Sequence, residues 1–274
     1  MRAPLVTLLL ALVAAAGCGG GDGGGAPSPQ KRLEQAVADY ERAVADQDCR
    51  TFVRYVHSAI RPPGKGPEDP PDSAECSARG ASLTALLDFK SKRMKVIGPA
   101  AIVEGTVDGR FFVLVWVLDV DGRWVQVQAL PGSDPQIRSQ QKLQPRFVPN
   151  AAAFVEAQRA GDCRRIFRLL SPAAPFVTSA QDDAGRYCQT FRETRNAPQR
   201  LATQLARAPG AKPVDVGGTK DLHFFTVDTG GGRRWILILA TLPTGVLPGA
   251  HVDDSVLDYY PTAPAGGAAP RPSS

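Results

Sequence analysis

Histidine and lysine are scarce in this chain, with three histidines and 8 lysines against 24 arginines in 274 residues. His57, His223 and His251 stand far apart, and none of the five cysteines forms a Cys-x-x-Cys pair, so no metal-ligand spacing exists and no metal is expected. A Gly-x-Ser-x-Gly elbow, a His-Glu-x-x-His helix and a Gly-Lys-Ser/Thr phosphate loop are also missing, which removes the common hydrolase, zinc-protease and nucleotide-binding readings and leaves no cofactor motif. Gly19 to Gly24 fits Gly-x-Gly-x-x-Gly in letters, but it has no strand before it or helix after it to hold a phosphate. His251-Val252-Asp253-Asp254 reads as a solvated cluster near the C-terminus. The net charge of +5 is too small for a dedicated nucleic-acid binder.

What is present is ordinary globular material, 43% hydrophobic and 22% charged, in a length that suits two small domains. Met1-Arg2 is a short positive start. It is followed by the apolar run Leu5 to Ala16, then by Ala15-Ala16-Gly17 directly before Cys18. A run of about a dozen residues is too short for a bilayer core that needs roughly 20. The pattern resembles a bacterial lipoprotein signal peptide with its lipobox. That resemblance implies removal of residues 1–17, a diacylglyceryl thioether on Cys18, N-acylation, and a chain held at the extracytoplasmic face of the cell membrane. Residues 18–30, rich in glycine with Pro27 and Pro29, have the composition of a flexible tether.

The chain repeats itself. At a constant offset of 114, Tyr40 to Val56 aligns with Phe154 to Leu170, matching Ala43 with Ala157, Asp48-Cys49-Arg50 with Asp162-Cys163-Arg164, and Arg54 with Arg168. A second cysteine follows in each copy, Cys76 and Cys188, and Gly-Arg-Trp124 matches Arg-Arg-Trp235 after a turn. Leu33, Ala36, Val37, Tyr40 and Val44 make the stripe of an amphipathic helix. Asp48 and Asp162 read as caps of short second helices whose inner faces carry Cys49, Phe52, Val53 and Val56, or Cys163, Ile166, Phe167 and Leu170. Ser73 reads as the cap of a third helix bearing Cys76, Leu83, Leu86 and Leu87, with a like helix around Cys188 and Phe191.

Valine- and aromatic-rich segments follow. They are Lys95 to Val107, Arg110 to Asp119 and Trp124 to Leu130 in the first copy, and Lys212 to Val216, Leu222 to Val227 and Trp235 to Thr241 in the second. Asp121-Gly122 signals a hairpin. Helices followed by antiparallel strands predict α+β: two tandem repeats, residues 31–131 and 147–262, each with N-terminal helices packed on a curved antiparallel sheet. Residues 132–146 read as a linker and 263–274 as a disordered tail. This order of elements, with Asp46-Gln47-Asp48 and Ala160-Gly161-Asp162 between the first two helices, resembles the nuclear transport factor 2-like (ketosteroid isomerase-like, cystatin-like) superfamily and its envelope lipoproteins.

The four cysteines after Cys18 allow three pairings. A duplicated unit should carry its own bridge, which favours Cys49 with Cys76 and Cys163 with Cys188. Residues 31–131 hold 14 basic and 14 acidic side chains, whereas residues 150–220 hold 11 basic and 6 acidic. Arg186, Arg192, Arg195, Arg200 and Arg207 are therefore either a solvated helical face or a contact with anionic lipid or wall polymer. The loops Arg61 to Pro71 and Ser171 to Val177 are recognition surfaces or simple connections. Two functions are open. One is a non-enzymatic module that binds a small ligand or an envelope protein. The other is a lyase, isomerase or hydrolase with a pocket carboxylate, for which Glu104, near Gln126 and Gln128 on largely apolar strands, is the best acid or base. No residue is identified as catalytic.

Overall fold

The computed structural model describes residues 27–57, 69–131, 147–171, 174, 183–193, 197–219, 221–241 and 255–264. Residues 1–26, with Cys18 and most of the tether, lie outside them, as do the linker, the tail beyond residue 264, His251 to Asp254, and most of the two loops named above.

The first helix, α1 (Pro29–Ala45), begins four residues before its stripe and takes in Pro29 and Gln30, which the composition groups with the tether of residues 18–30, because Pro29 suits a first helical position and the Ser28 hydroxyl accepts from the Lys31 amide. Leu33, Val37, Tyr40, Ala43 and Val44 form its buried face. Its end is a Schellman turn. The Asp48 amide donates to Ala43 O at 2.8 Å and the Gln47 amide to Val44 O at 3.2 Å, with Gln47 in the left-handed region at φ +51°. In the second copy α4 (Phe147–Ala160) ends with the same two bonds, Asp162 to Ala157 and Gly161 to Gln158, and here glycine holds the left-handed position at φ +63°. The aspartate that closes each turn also opens the next helix. Asp48 Oδ1 accepts from the Thr51 amide at 3.2 Å for α2 (Cys49–Val53), and Asp162 Oδ1 from the Arg165 amide at 3.0 Å for α5 (Cys163–Leu169). These caps hold the Asp48 carboxyl below its usual range.

The third helix, α3 (Ser73–Ala85), is capped by Asp72 rather than Ser73, with Asp72 Oδ1 accepting from the Glu75 amide at 2.8 Å. A carboxylate one residue upstream reaches the first-turn amides and leaves Ser73 inside the helix. In the second copy Asp183 does the same for α6 (Ala184–Glu193), accepting from the Arg186 amide at 2.8 Å. Both disulfides form as the repeat requires, Cys49 with Cys76 and Cys163 with Cys188, at Cα separations of 5.7 and 5.3 Å. They tie the second helix to the third in each copy. A further helix, α7 (Ala197–Ala206), has no partner in the first copy, where four residues lead from α3 into the sheet.

Each copy ends in a four-stranded antiparallel sheet in simple sequential order. The first comprises β1 (Lys90–Ile97), β2 (Ala100–Val107), β3 (Arg110–Leu118) and β4 (Trp124–Pro131). The second comprises β5 (Pro213–Gly218), β6 (Leu222–Asp228), β7 (Arg234–Ala240) and β8 (Ser255–Thr262). The sequence suggests three strands per copy. The segment from Lys95 to Val107 conceals a turn at Gly98-Pro99, with Gly98 at φ +56°, and β8 lies beyond the stretch 242–254.

The Trp124–Trp235 match also joins unlike strands. Both indoles follow turns of the same form, closed by the Asp119 amide on Arg123 O at 2.8 Å and the Thr229 amide on Arg233 O at 2.9 Å. Trp124, however, opens the fourth strand of its sheet, and Trp235 lies in the third. The true correspondence is in the register. Phe112 faces Pro131 as Trp235 faces Pro261, and a bulge leaves Val127 unpaired in β4 and Leu257 unpaired in β8. This places Gln128 opposite Val115 and Asp258 opposite Ile238 at equivalent positions.

Alternate residues of the central strands serve two cores. Leu114 and Trp116 pack under α1 and α2, and Trp235, Leu237 and Leu239 under α4 and α7. Val113, Val115 and Val117 of β3 turn the other way and meet Ile236, Ile238 and Ala240 of β7 in a third core shared by the two sheets. The molecule is layered as helices, sheet, sheet, helices. Burial on both faces explains why Val113-Leu114-Val115-Trp116-Val117 and Trp235-Ile236-Leu237-Ile238-Leu239 run without polar alternation.

Candidate functional site

The sequence places its best acid or base at Glu104. In the fold Glu104 lies on β2 opposite Arg93 of β1, 3.6 Å from that guanidinium, with about 24% of its side chain exposed. This is a cross-strand ion pair at the surface.

A carboxyl beside a tyrosine does exist, at a place the sequence reading passed over. Asp258 is fully buried in the seam between the sheets. Its Oδ2 accepts from Gln128 Nε2 at 2.7 Å and from the Tyr260 hydroxyl, and its Oδ1 accepts from the Tyr259 amide at 2.8 Å. His57 lies nearby, its ring 4.7 Å from that of Tyr260. His57 Nε2 donates to Pro261 O at 2.9 Å, which fixes the Nε2–H tautomer because a carbonyl can only accept, and Asp119 Oδ1 stands 3.5 Å away. Thr262 Oγ1 donates to Leu118 O at 2.5 Å and closes the seam. His57, Asp119 and Asp258 are each 0% exposed, so this cluster has the chemistry of an acid–base site without access for a substrate. It joins the two copies through the bonds of Gln128 to Asp258, His57 to Pro261 and Thr262 to Leu118.

Burial pushes the Asp258 carboxyl up from 3.8 to about 6, against the opposing effect of its three donors. The native chain therefore holds this proton between about pH 4 and 6 where the unfolded chain has lost it, and the contribution to stability falls as pH rises through that window. The loss is on the order of 2–3 kcal/mol. Burial lowers the His57 pKa, so that group acts in the opposite sense and removes stability as pH falls below its ordinary 6.5. Denaturant titrations of the wild type and of Asp258→Asn from pH 4 to 7 isolate the carboxyl. The difference between the two is expected to change across pH 4–6 and to level off above it. A constant difference overturns the assignment.

The five arginines singled out by charge do not share one face. Arg186 and Arg192 belong to α6, Arg200 to α7 and Arg207 to the turn that directly follows it, and Arg195 falls between α6 and α7, outside the described residues. Arg192 joins Arg164 at a depression of about 610 Å³ beside the Cys163–Cys188 bridge, where Asp162 offsets the charge. Arg200 and Arg207 line a second groove of about 450 Å³ with Gln199, Thr203, Gln204 and Arg233. None of those lining residues is acidic.

Arg200, Thr203 and Gln204 lie at i, i+3 and i+4 on one side of α7, and Arg207, at i+7, follows in the turn just after it. Leu201 and Leu205, on its other side, are buried and anchor the helix. Arg233 arrives from the β6–β7 turn, where Gly230, Gly231 and Gly232 all have positive φ. Gln204 joins the two parts: its Oε1 accepts from Thr229 Oγ1 and from Trp235 Nε1, both at 2.8 Å. An indole N–H can only donate, so the oxygen of this amide must face inward. What Gln204 has left for the groove is its two N–H donors. Arg233 and Gln204 were missed in the sequence reading, although the helical spacing from Arg200 to Arg207 is visible there. Nothing local in the sequence signals that the glycine turn lies beside α7.

Among the described residues no helix is long and apolar enough to cross a membrane. Compared with protein-family models and with curated protein sequences, the chain matches none of them.

Proposed function

We propose that the chain is a lipid-anchored extracytoplasmic protein that works by binding, without catalysis, and that its two copies are nuclear transport factor 2-like units. The observation that carries the binding reading is that both faces of the central strands are filled, by the helices on one side and by the opposite sheet on the other. A carboxylate able to act on a substrate would need an open cavity there, and Glu104 stands in a surface ion pair instead. The anchor reading is supported by Met1-Arg2, the run Leu5 to Ala16, the small residues before Cys18 and the glycine-rich segment after it. Two disulfides are consistent with folding outside the cytoplasm. Removal of residues 1–17 leaves the folded part, which begins with α1 at Pro29, on a tether that starts at Cys18, close to anionic headgroups, wall polymer, and any envelope protein or small ligand it takes.

Intact-mass analysis of the membrane fraction tests the anchor. The expected chain begins at Cys18 and carries added acyl mass. A free N-terminus elsewhere together with a fully soluble product overturns it. Photo-crosslinking of the processed protein in native envelopes tests the binding reading, with a discrete, saturable adduct as the expected result. Turnover of a small substrate that is lost in Glu104→Gln would replace it with the enzyme reading.

A further inference from the structure

The two copies share their helices, disulfides and final strand register, so what one has and the other lacks stands out. Among the described residues, two features of the second copy that the first lacks lie beside one another. Where residues 86–89 lead directly from α3 to β1, the second copy inserts α7 between α6 and β5. Where Asp108-Gly109 joins β2 to β3, Thr229 to Arg233 joins β6 to β7, three residues longer. These insertions are distant in sequence and meet in space. Their meeting makes the groove of Arg200, Thr203, Gln204, Arg207 and Arg233.

We propose that this groove is a binding site for a polyanion bearing two or more phosphoryl groups, an inference that rests on the binding-module reading. Three arginines, Arg200, Arg207 and Arg233, line it together with Gln204, whose amide oxygen is taken by Thr229 and Trp235, and none of its described lining residues is an acid that would neutralise them. Guanidinium forks match phosphoryl oxygens in pairs. Arg200 and Arg207 are seven residues apart, so a rise of about 1.5 Å per residue sets their Cα atoms roughly 10 Å apart along α7, with Arg233 across the groove. A span of that size suits successive charges along a phosphodiester or polyphosphate chain better than one small anion. Gln204, locked to Trp235 and Thr229, fixes the floor, and the glycine-rich turn carries Arg233 to the rim.

The indole N–H of Trp235 donates to Gln204 and so serves as a reporter behind the groove. The full chain with Cys18→Ser, which carries no lipid, is titrated with tripolyphosphate at low salt while the Trp235 Nε1–H resonance is followed by NMR. The expected result is a saturable shift. Each of Arg200→Gln, Arg207→Gln and Arg233→Gln should weaken binding about three- to tenfold, the loss expected for one charge-assisted contact. All three arginines are exposed, so the variants keep the fold. The double variant Arg50→Gln/Arg54→Gln removes exposed positive charge from the first copy and should bind within twofold of the parent. Orthophosphate should bind at least about tenfold more weakly than tripolyphosphate.

No saturable shift, an equal loss in the Arg50/Arg54 control, or equal affinity for orthophosphate each overturns the proposal. Vesicles containing phosphatidylglycerol assign the source of the phosphoryl groups. Vesicle binding that is lost with Arg200→Gln/Arg233→Gln points to lipid headgroups. Vesicle binding indifferent to that change, with tripolyphosphate binding still dependent on it, points to a soluble or wall-bound phosphodiester polymer. A failed titration with an intact envelope crosslink overturns the groove alone, and loss of the crosslink in every arm overturns the binding-module reading.

Discussion

Residues 27–131 produced without the second copy are expected to form dimers or larger species rather than a soluble monomer. Eight apolar side chains of the first sheet, Ile97, Ala100, Ile102, Val113, Val115, Val117, Val125 and Val127, are buried in the core shared with the second sheet. Each fully buried valine or isoleucine contributes about 1.5–3 kcal/mol, and their joint exposure makes one contiguous apolar patch of the kind that drives association. Light scattering after size exclusion and binding of a hydrophobic dye are the measurements. A monomeric fragment that unfolds cooperatively and binds no dye would mean that each copy completes its own core.

Removal of a disulfide carries the second large effect. Each bridge closes a ring of similar size, with sequence separations of 27 and 25 residues. Loss of such a ring releases about 3.5 kcal/mol of chain entropy in the unfolded state. The pair Cys163→Ser/Cys188→Ser is expected to lower the thermal midpoint by about 10 °C, and loss of both bridges removes much of the net stability available to a chain of this size. The two bridges differ in access. Cys163 and Cys188 are buried, whereas Cys49 and Cys76 are partly exposed. Stepwise reduction followed by alkylation and peptide mapping should therefore label Cys49 and Cys76 first. Simultaneous labelling of all four would show that reduction waits on global unfolding.

The helices were legible in the sequence because their signals are local. An aspartate that closes one helix and caps the next leaves the same letters at 48 and 162, and the stripe from Leu33 to Val44 needs only one turn-to-turn period. Even so, a competing carboxylate one residue away displaced Ser73 as the cap of α3. The strands were less legible, since β3 and β7 are buried on both faces and lose the alternation that distinguishes an open sheet. Fourteen residues separate β7 from β8, so no hairpin signal pointed to the last strand. Pro131 and Pro261, each facing an aromatic residue at the end of a sheet, were the available clue to strand equivalence, and it becomes visible only through the pairing. The arginine groove was half legible. Arg200 and Arg207 stood out by charge, but Arg233 and Gln204 take part only because the fold brings two separate insertions together.

The pairing of Gln128 with Asp258 has a consequence for how such an interface can evolve. These residues occupy equivalent positions in the two sheets and touch across the seam. If two identical chains were held by the same contact, this position would meet its own copy, so the choice would be between two aspartates, which resist sharing one buried charge, and two glutamines. Joining both halves in one polypeptide lifts that restriction and lets an amide donor face a carboxyl acceptor. The same freedom leaves the groove of Arg200, Arg207 and Arg233 without a counterpart among the described residues of the first copy, so any gain from multivalency at that groove comes from several molecules crowded together.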